Sequence, residues 1–436
     1  MLRRIIQVMI LIFISSCGSL KPTFEAGFDT DATRRKKLDS YFTSLTQLQR
    51  FNGVVYVQDY KSQPFSKSYT IDSDPASTAY VSYESQFDIH SVSKLIAKAI
   101  IIKLEQEGKL KRSDYIHQYI PDFPKGDQIT IQHLMDNSSG LPREPKLTGV
   151  TKNQLTTDQI VAWAKKETLE FEPGTSTRYS NVGYELLYYI IGQLNNTSFS
   201  NYVTTVFFKE IGMADSGAHF YTNKQNLTNW VKNHQLEEEL VAVNNITEDD
   251  YKQAMLYSTA GDLQLFLRYI SQEPYQSALK NNKGIIAWTG GSDGIRAHVQ
   301  YHVDKKYRIV ILANYDEIPL DQILKDIPAI LEDRPFEMPK AINREAVELD
   351  VGVLSNYQGK YDFVEADHLI LEFKVEREKL AVYQEGEKIA ELFAENENTF
   401  FVDPRSPESF EFKKVAGRYQ VVMGWKGVKL QGTRLE

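Results

Sequence analysis

A single cysteine, Cys17, occurs in 436 residues. A lone thiol excludes any disulfide within the chain, so stability has to come from buried apolar surface. No apolar stretch is long enough to span a bilayer as a helix: the run from Ile5 to Ile14 stops well short of the roughly 20 residues needed. Basic residues form no long run after Arg3 and Arg4, and the net charge is -8, so the chain lacks the basic face that phosphate backbones demand. Nucleic acid is excluded as a partner on that ground. Repeats and low-complexity tracts are lacking too.

What is present is apolar bulk, with 42% hydrophobic and 12% aromatic residues, enough for one large domain and a smaller one, each with its own core. Arg3 and Arg4 ahead of the short apolar run read as a signal peptide and not as an anchor helix. The run closes on Ser15-Ser16-Cys17-Gly18, which resembles a bacterial lipobox, whose cysteine is lipidated and becomes the mature N-terminus. An ordinary signal peptide with a cysteine near its cut is the plainer alternative. The resemblance implies a lipoprotein signal peptide over residues 1–16, a lipid anchor at Cys17 with the membrane as partner, and a place in the bacterial envelope facing periplasm or exterior. Gly18 does not resemble the inner-membrane retention signal of some bacteria, which tilts the reading to the outer membrane.

After a polar leader over 17–32, residues 33 to 48 have helical periodicity, and residues 51 to 71 read as two strands around a polar turn. From Leu95 to Leu104 nearly every residue is apolar, which predicts a buried helix ending near Gly108. Residues 285 to 316 read as consecutive strands joined by Gly- and Lys-rich turns, so helices lie between an N-terminal and a C-terminal strand set. That order predicts an α+β domain over 33–327, a mixed sheet closing on itself with flanking helices and a helical subdomain. Prolines 328, 335 and 339 mark a linker over 328–346. From 347 to 436 only period-two alternation remains, with Leu369, Leu371, Phe373 and Val375 on one face, which predicts a small antiparallel sheet or barrel.

The chemistry is carried by Asp88-Ile89-His90-Ser91-Val92-Ser93-Lys94. A serine hydroxyl is a weak nucleophile and needs a base in reach, and positions three apart on a helix share a face, so Lys94 can aim its amine at Ser91. Burial beside Leu95 and Ile96 disfavours the ammonium form and makes the lysine a usable base. A helix start also directs free N–H groups at an oxyanion. The plain alternative is a serine N-cap followed by a solvated lysine. The same spacing recurs at Ser277 and Lys280, in a polar setting with no apolar helix after it. What tips the balance is Tyr179-Ser180-Asn181, a phenol that can shuttle a proton and an amide that can bind a carbonyl, led in by Pro173-Gly174. Its decoy, Tyr221-Thr222-Asn223, lacks that lead-in.

With those residues and the ordered stretches ITIQHLMDNSSGLP, FEPGTSTRYSNVGY, LYSTAGDL and WTGGSDG, the chain resembles serine β-lactamases of class C, the related D,D-peptidases and the similar family VIII carboxylesterases, over roughly residues 50 to 315. The resemblance implies that Ser91 is acylated, that Lys94 and Tyr179 exchange the proton, that Asn181 contacts substrate, and that the N–H groups of Ser91 and Gly291 form the oxyanion hole. The family's third motif, Lys or His followed by any residue and Gly, falls on Trp288-Thr289-Gly290. Trp288 supplies an apolar wall and one N–H donor in place of a cation for a substrate carboxylate. That departure ranks small ester or amide substrates first, a peptidoglycan D,D-peptidase second and a true β-lactamase third. Arg296 is a substitute cation, or else a surface ion-pair member.

Two rivals compete with this reading. Gly290-Gly291-Ser292-Asp293-Gly294 fits the GxSxG pattern, but the alternating residues after Ser292 read as a strand where a nucleophile elbow needs a helix. A non-catalytic binder of cell-wall fragments would have no need of a proton relay. His298 and His302 sit in a strand pattern without an acidic partner, so no metal site is expected, and the acyl-transfer chemistry calls for no cofactor.

Overall fold

The computed structural model describes residues 25–60, 62–145, 154–219, 229–236, 240–243, 255–366, 368–404, 406, 408–425 and 428–435. Cys17, the segment before it and the decoy Tyr221-Thr222-Asn223 lie outside the described residues.

Five strands form the main sheet, in the spatial order Phe65–Tyr69, Gly53–Gln58, Tyr307–Ala313, Ile295–His302 and Ile285–Ser292. The two ends of the domain meet in its middle, where Val55 faces Ile311. The sequence reading expects a mixed sheet, whereas every ladder in this one is antiparallel. Short hairpins pair Ser292 with Ile295 and His302 with Tyr307, and such turns join antiparallel strands only. The long helical excursion after Tyr69 returns the chain to the opposite edge, so no parallel neighbour arises.

Alternation along the strands supplies two cores. Val54, Tyr56, Ala297, Val299, Val310 and Leu312 face one side and pack with the helix Val92–Gln106. Val55, Val57, Ile309 and Ile311 face the other, against Leu38, Tyr41, Phe42 and Leu45 of the helix Glu25–Gln47. That helix begins at Glu25, ahead of the expected start at 33. A second helix on this side, Leu320–Leu331, buries Leu320, Ile323, Ile327 and Ile330. Its apolar period carries it through Pro328, so a linker read as starting at 328 begins inside a helix.

The helix Val92–Gln106 is buried almost all round, from Val92 to Leu104, as its unbroken apolar run demands. Beyond the linker, eight antiparallel strands from Gly359–Phe363 to Val428–Arg434 close into a barrel, the first meeting the last where Tyr361 faces Arg434. Phe412 sits at its centre, 4.5 Å from the Tyr357 ring and 5.1 Å from the Phe373 ring. With Tyr361, Phe363 and Phe400 also buried, this interior is a packed core and not a ligand cavity.

Candidate active site

Ser91 stands at the N-cap position of the helix Val92–Gln106, yet its side chain makes no capping hydrogen bond. The cap alternative therefore fails. The hydroxyl lies instead 2.8 Å from the Tyr179 Oη and accepts from the Lys94 Nζ at 3.2 Å. Lys94 is 5% exposed, and its Nζ faces the Tyr179 ring at 5.1 Å and the Tyr184 ring at 5.5 Å. Just ahead, His90 takes a positive φ of 42°, a backbone state uncommon outside glycine that turns the chain sharply into the helix.

Tyr179 is held by a clamp. Ser180 caps the helix Asn181–Leu194 by accepting from the Gly183 N–H, while its own hydroxyl donates to the Pro142 carbonyl at 2.7 Å. The Ser180 N–H donates to the Asn137 Oδ1 at 3.0 Å, and the Asn181 N–H to the Arg143 carbonyl at 2.9 Å. The stretch Asn137-Ser138-Ser139-Gly140-Leu141-Pro142 thus locks the tyrosine against the serine. Burial raises the Tyr179 pKa; the hydrogen bond with Ser91 and the charge of Arg143 oppose this, and Glu144 adds to it. The phenol consequently stays protonated at neutral pH.

The strand Ile285–Ser292 forms the other wall. A Cβ on Gly290 would lie 2.2 Å from the Ile89 carbonyl oxygen and 2.8 Å from the Ser91 nitrogen, so only glycine lets the strand approach the nucleophile turn. Because Gly290 faces that turn, its neighbours Thr289 and Gly291 face away from it. Thr289 shares a 2.7 Å hydrogen bond with His298 Nδ1, and His298 Nε2 lies 3.4 Å from Gln300 Oε1. Burial pushes the His298 imidazole down to about 4, so it is neutral at pH 7, and with its Nε2–H donating to Gln300 it accepts the Thr289 hydroxyl proton. Thr289 is thereby engaged across the sheet.

Arg296, paired with Gly291, stands on the same face of the sheet as Thr289 and Gly291. Its Nη1 donates to the carbonyls of Ser292 at 3.1 Å and Ile295 at 3.0 Å, and it packs on Gly291, where a Cβ would come within 2.5 Å of it. Arg296 faces Gly291 in the register, and two carbonyls of the hairpin turn hold its Nη1. Ser292 ends a strand, followed by Asp293, Gly294 and another strand, so the GxSxG elbow is absent. The Ser277 hydroxyl donates to the Glu273 carboxylate at 2.7 Å in an exposed contact.

Trp288 packs partly buried against the main core, its ring edge-on to Tyr184 at 5.8 Å. Over it, at 5.0 Å, sits the Lys98 ammonium, whose pKa burial lowers and Asp136 raises. Sequence reasoning missed Lys98, although it stands one helical turn beyond Lys94 on the same face. It missed Arg143 and Glu144 as well. Arg143 lies over the Tyr179 ring at 5.7 Å and reaches the barrel, donating to the Glu365 carbonyl at 3.3 Å. Glu144 accepts from the Asn181 side-chain amide, and its other carboxylate oxygen, Oε2, is buried without a hydrogen-bond partner. No sequence pattern announces either residue; only their place after the clamp does.

A serine hydroxyl between an amine and a phenol, at the start of a helix, can lose its proton as it attacks a carbonyl, and the phenol can pass a proton to the leaving group. Replacing Gly290 by alanine should push the strand off the nucleophile turn. Hydrolysis of a p-nitrophenyl ester by Gly290→Ala is expected to fall about 100-fold or more with the circular-dichroism spectrum unchanged; wild-type turnover would show that the contact is not needed.

The family described as Beta-lactamase matches residues 38–303. Penicillin-binding protein 4* of Bacillus subtilis (strain 168) is 25% identical over 431 residues, covering 86% of this chain and 93% of that protein. Among solved structures, SurE matches with a TM-score of 0.60 at 14% identity, over 93% of this chain and 100% of its own. A class C beta lactamase matches with a TM-score of 0.58 at 19% identity, over 70% of this chain and 98% of its own. At such identities the two structures speak to the fold alone. The family match spans more than half of the sequence, and it ends within the sheet that carries the cleft: the chain belongs to the beta-lactamase family and is a serine hydrolase in the general sense.

Proposed function

We propose that the protein hydrolyses small uncharged acyl esters or amides through a covalent acyl-enzyme on Ser91. The observation that carries this reading is the Ser91 hydroxyl, free of any cap and within 3.2 Å of Lys94 and 2.8 Å of Tyr179. The Ser91 Oγ attacks the carbonyl while Lys94 takes its proton, and the N–H groups of Ser91 and Gly291 hold the oxyanion. Tyr179, protonated in the resting site, gives a proton to the departing alcohol or amine and recovers one from Lys94. A water molecule then adds to the Ser91 ester, its proton returns to the Ser91 Oγ, and the acid is released. Asn181 orients the substrate carbonyl from the opposite wall.

Charge around the cleft supports an uncharged acyl group. Trp288 stands where the family's cation is expected, Lys98 is committed to the Trp288 ring and Arg143 to Tyr179 and Glu365. Glu144, beside Asn181, places a carboxylate where an anionic substrate would be repelled. By the lipobox resemblance we further propose that Cys17 carries a lipid that tethers the enzyme to the bacterial envelope, at the outer membrane.

Three outcomes test these statements. A fluorophosphonate should add its mass to wild type and to Ser292→Ala but not to Ser91→Ala, which should also lose ester hydrolysis by about 1,000-fold or more; an adduct surviving in Ser91→Ala would refute the assignment. Trp288→Lys should raise kcat/KM for a cephalosporin, which bears a carboxylate, about tenfold relative to p-nitrophenyl butyrate. An unchanged ratio would mean that Trp288 does not set the preference. Cells fed an alkynyl fatty acid should label the wild-type protein and leave Cys17→Ala unlabelled and released from membranes, whereas equal labelling would remove the anchor.

A further inference from the structure

The edge of the main sheet farthest from Ser91 carries a cavity of its own. About 540 Å³ in volume, it is lined by Tyr56, Gln58 and Ser66 from the two N-terminal strands, Arg308 from the central strand, and Gln264 and Arg268 from the helix Ala260–Ile270, with Tyr83 and Pro64 at its margin. That volume falls within the range of about 300–1,000 Å³ usual for small-molecule sites. The cavity opens beside the strand Phe65–Tyr69, while Gly290 and the nucleophile turn adjoin the opposite edge strand. Four strand spacings separate the two edges, roughly 19 Å. Arg308, on the central strand, stands two strand spacings, roughly 10 Å, from the strand that carries Gly290.

The wall charge is what singles this cavity out. Two guanidinium groups line it and no carboxylate does, in a chain whose net charge is -8. Arg308 donates from Nη1 to Gln58 Oε1 and from Nη2 to Ser271 Oγ, both at 3.2 Å, and lies 5.5 Å from the Tyr301 ring centroid. All of these partners are neutral, and its Nε is buried with no acceptor. Arg268 forms no ion pair among the described residues. Elsewhere, arginines 34, 112, 178 and 334 each meet a carboxylate. A half-buried guanidinium without a counter-charge is costly, and an oxyanion is the group that relieves it, with geometry suited to two-point contact.

We propose that this cavity binds a small organic oxyanion, a carboxylate or a phosphate monoester, with the anionic group on Arg268 and Arg308 and the organic part against Tyr56 and Tyr83. Gln58 and Gln264 add amides that select for polar substituents on the ligand body. The site does not depend on the reaction at Ser91.

Titration calorimetry at low salt on the purified protein tests it, with inorganic phosphate, N-acetylalanine and, as the uncharged control, N-acetylalanine amide. The expected result is saturable one-to-one binding of at least one oxyanion, weakened tenfold or more in Arg268→Gln and by added salt, with fluorophosphonate labelling unchanged. Binding of N-acetylalanine alone assigns the site to carboxylates, and binding of phosphate alone to phosphate esters. Arg268 is exposed and its side chain makes no ion pair among the described residues, so Arg268→Gln decides the matter even where Arg308→Gln fails to fold. Binding of the amide as tight as that of the acid, oxyanion affinity unaltered by Arg268→Gln, or no binding of either oxyanion overturns the proposal.

Discussion

Near-complete burial of one helix governs the geometry of this protein. Val92–Gln106 buries apolar side chains around most of its circumference, and the fold answers with the main sheet on one side and the helical subdomain on the other. Each large side chain so buried contributes on the order of 1.5–3 kcal/mol, enough together to offset the cost of burying the polar end of Lys94. Ser91 is fixed as a consequence. It sits where the helix emerges, with Lys94 one turn below it and neither able to move without disturbing the core.

Two further segments approach that fixed point, and each does so by a backbone device. The clamp made by residues 137 to 143 presses Tyr179 onto the hydroxyl through hydrogen bonds to the backbone and to the Ser180 cap. The strand Ile285–Ser292 approaches because Gly290 has no side chain to hold it off. Loss of a family cation at Trp288 then has a local explanation: the ring fills the space between Tyr184 and Lys98, and a charge is present nearby but is committed to the aromatic face. Arg143 links the same region to the barrel through Glu365, so the small domain is placed beside the cleft without lending it a cavity.

Much of this was legible in the sequence wherever the information is local. The apolar run after Lys94 required a buried helix, period two after 347 required an antiparallel sheet or barrel, and alternation after Ser292 excluded a nucleophile elbow, all because side-chain direction follows from backbone periodicity. Linker placement was less legible, since proline marks a break only when packing does not carry the helix through it, as Ile327 and Ile330 do at Pro328. Sheet direction was illegible, because it depends on which edge the chain reaches after a long excursion.

By itself, then, the sequence determined that Ser91 and Lys94 share one helix face at the head of a buried helix, and that Ser292 belongs to a hairpin. Only the tertiary structure decided that Tyr179, 88 residues away, would touch Ser91, that Arg296 would bond the carbonyl of Ser292, and that Lys98 would sit over the Trp288 ring. The physical reason is range. Periodicity specifies where a side chain points within its own element, whereas distances between elements are settled by how their buried faces fit, and that fit is a property of the whole core.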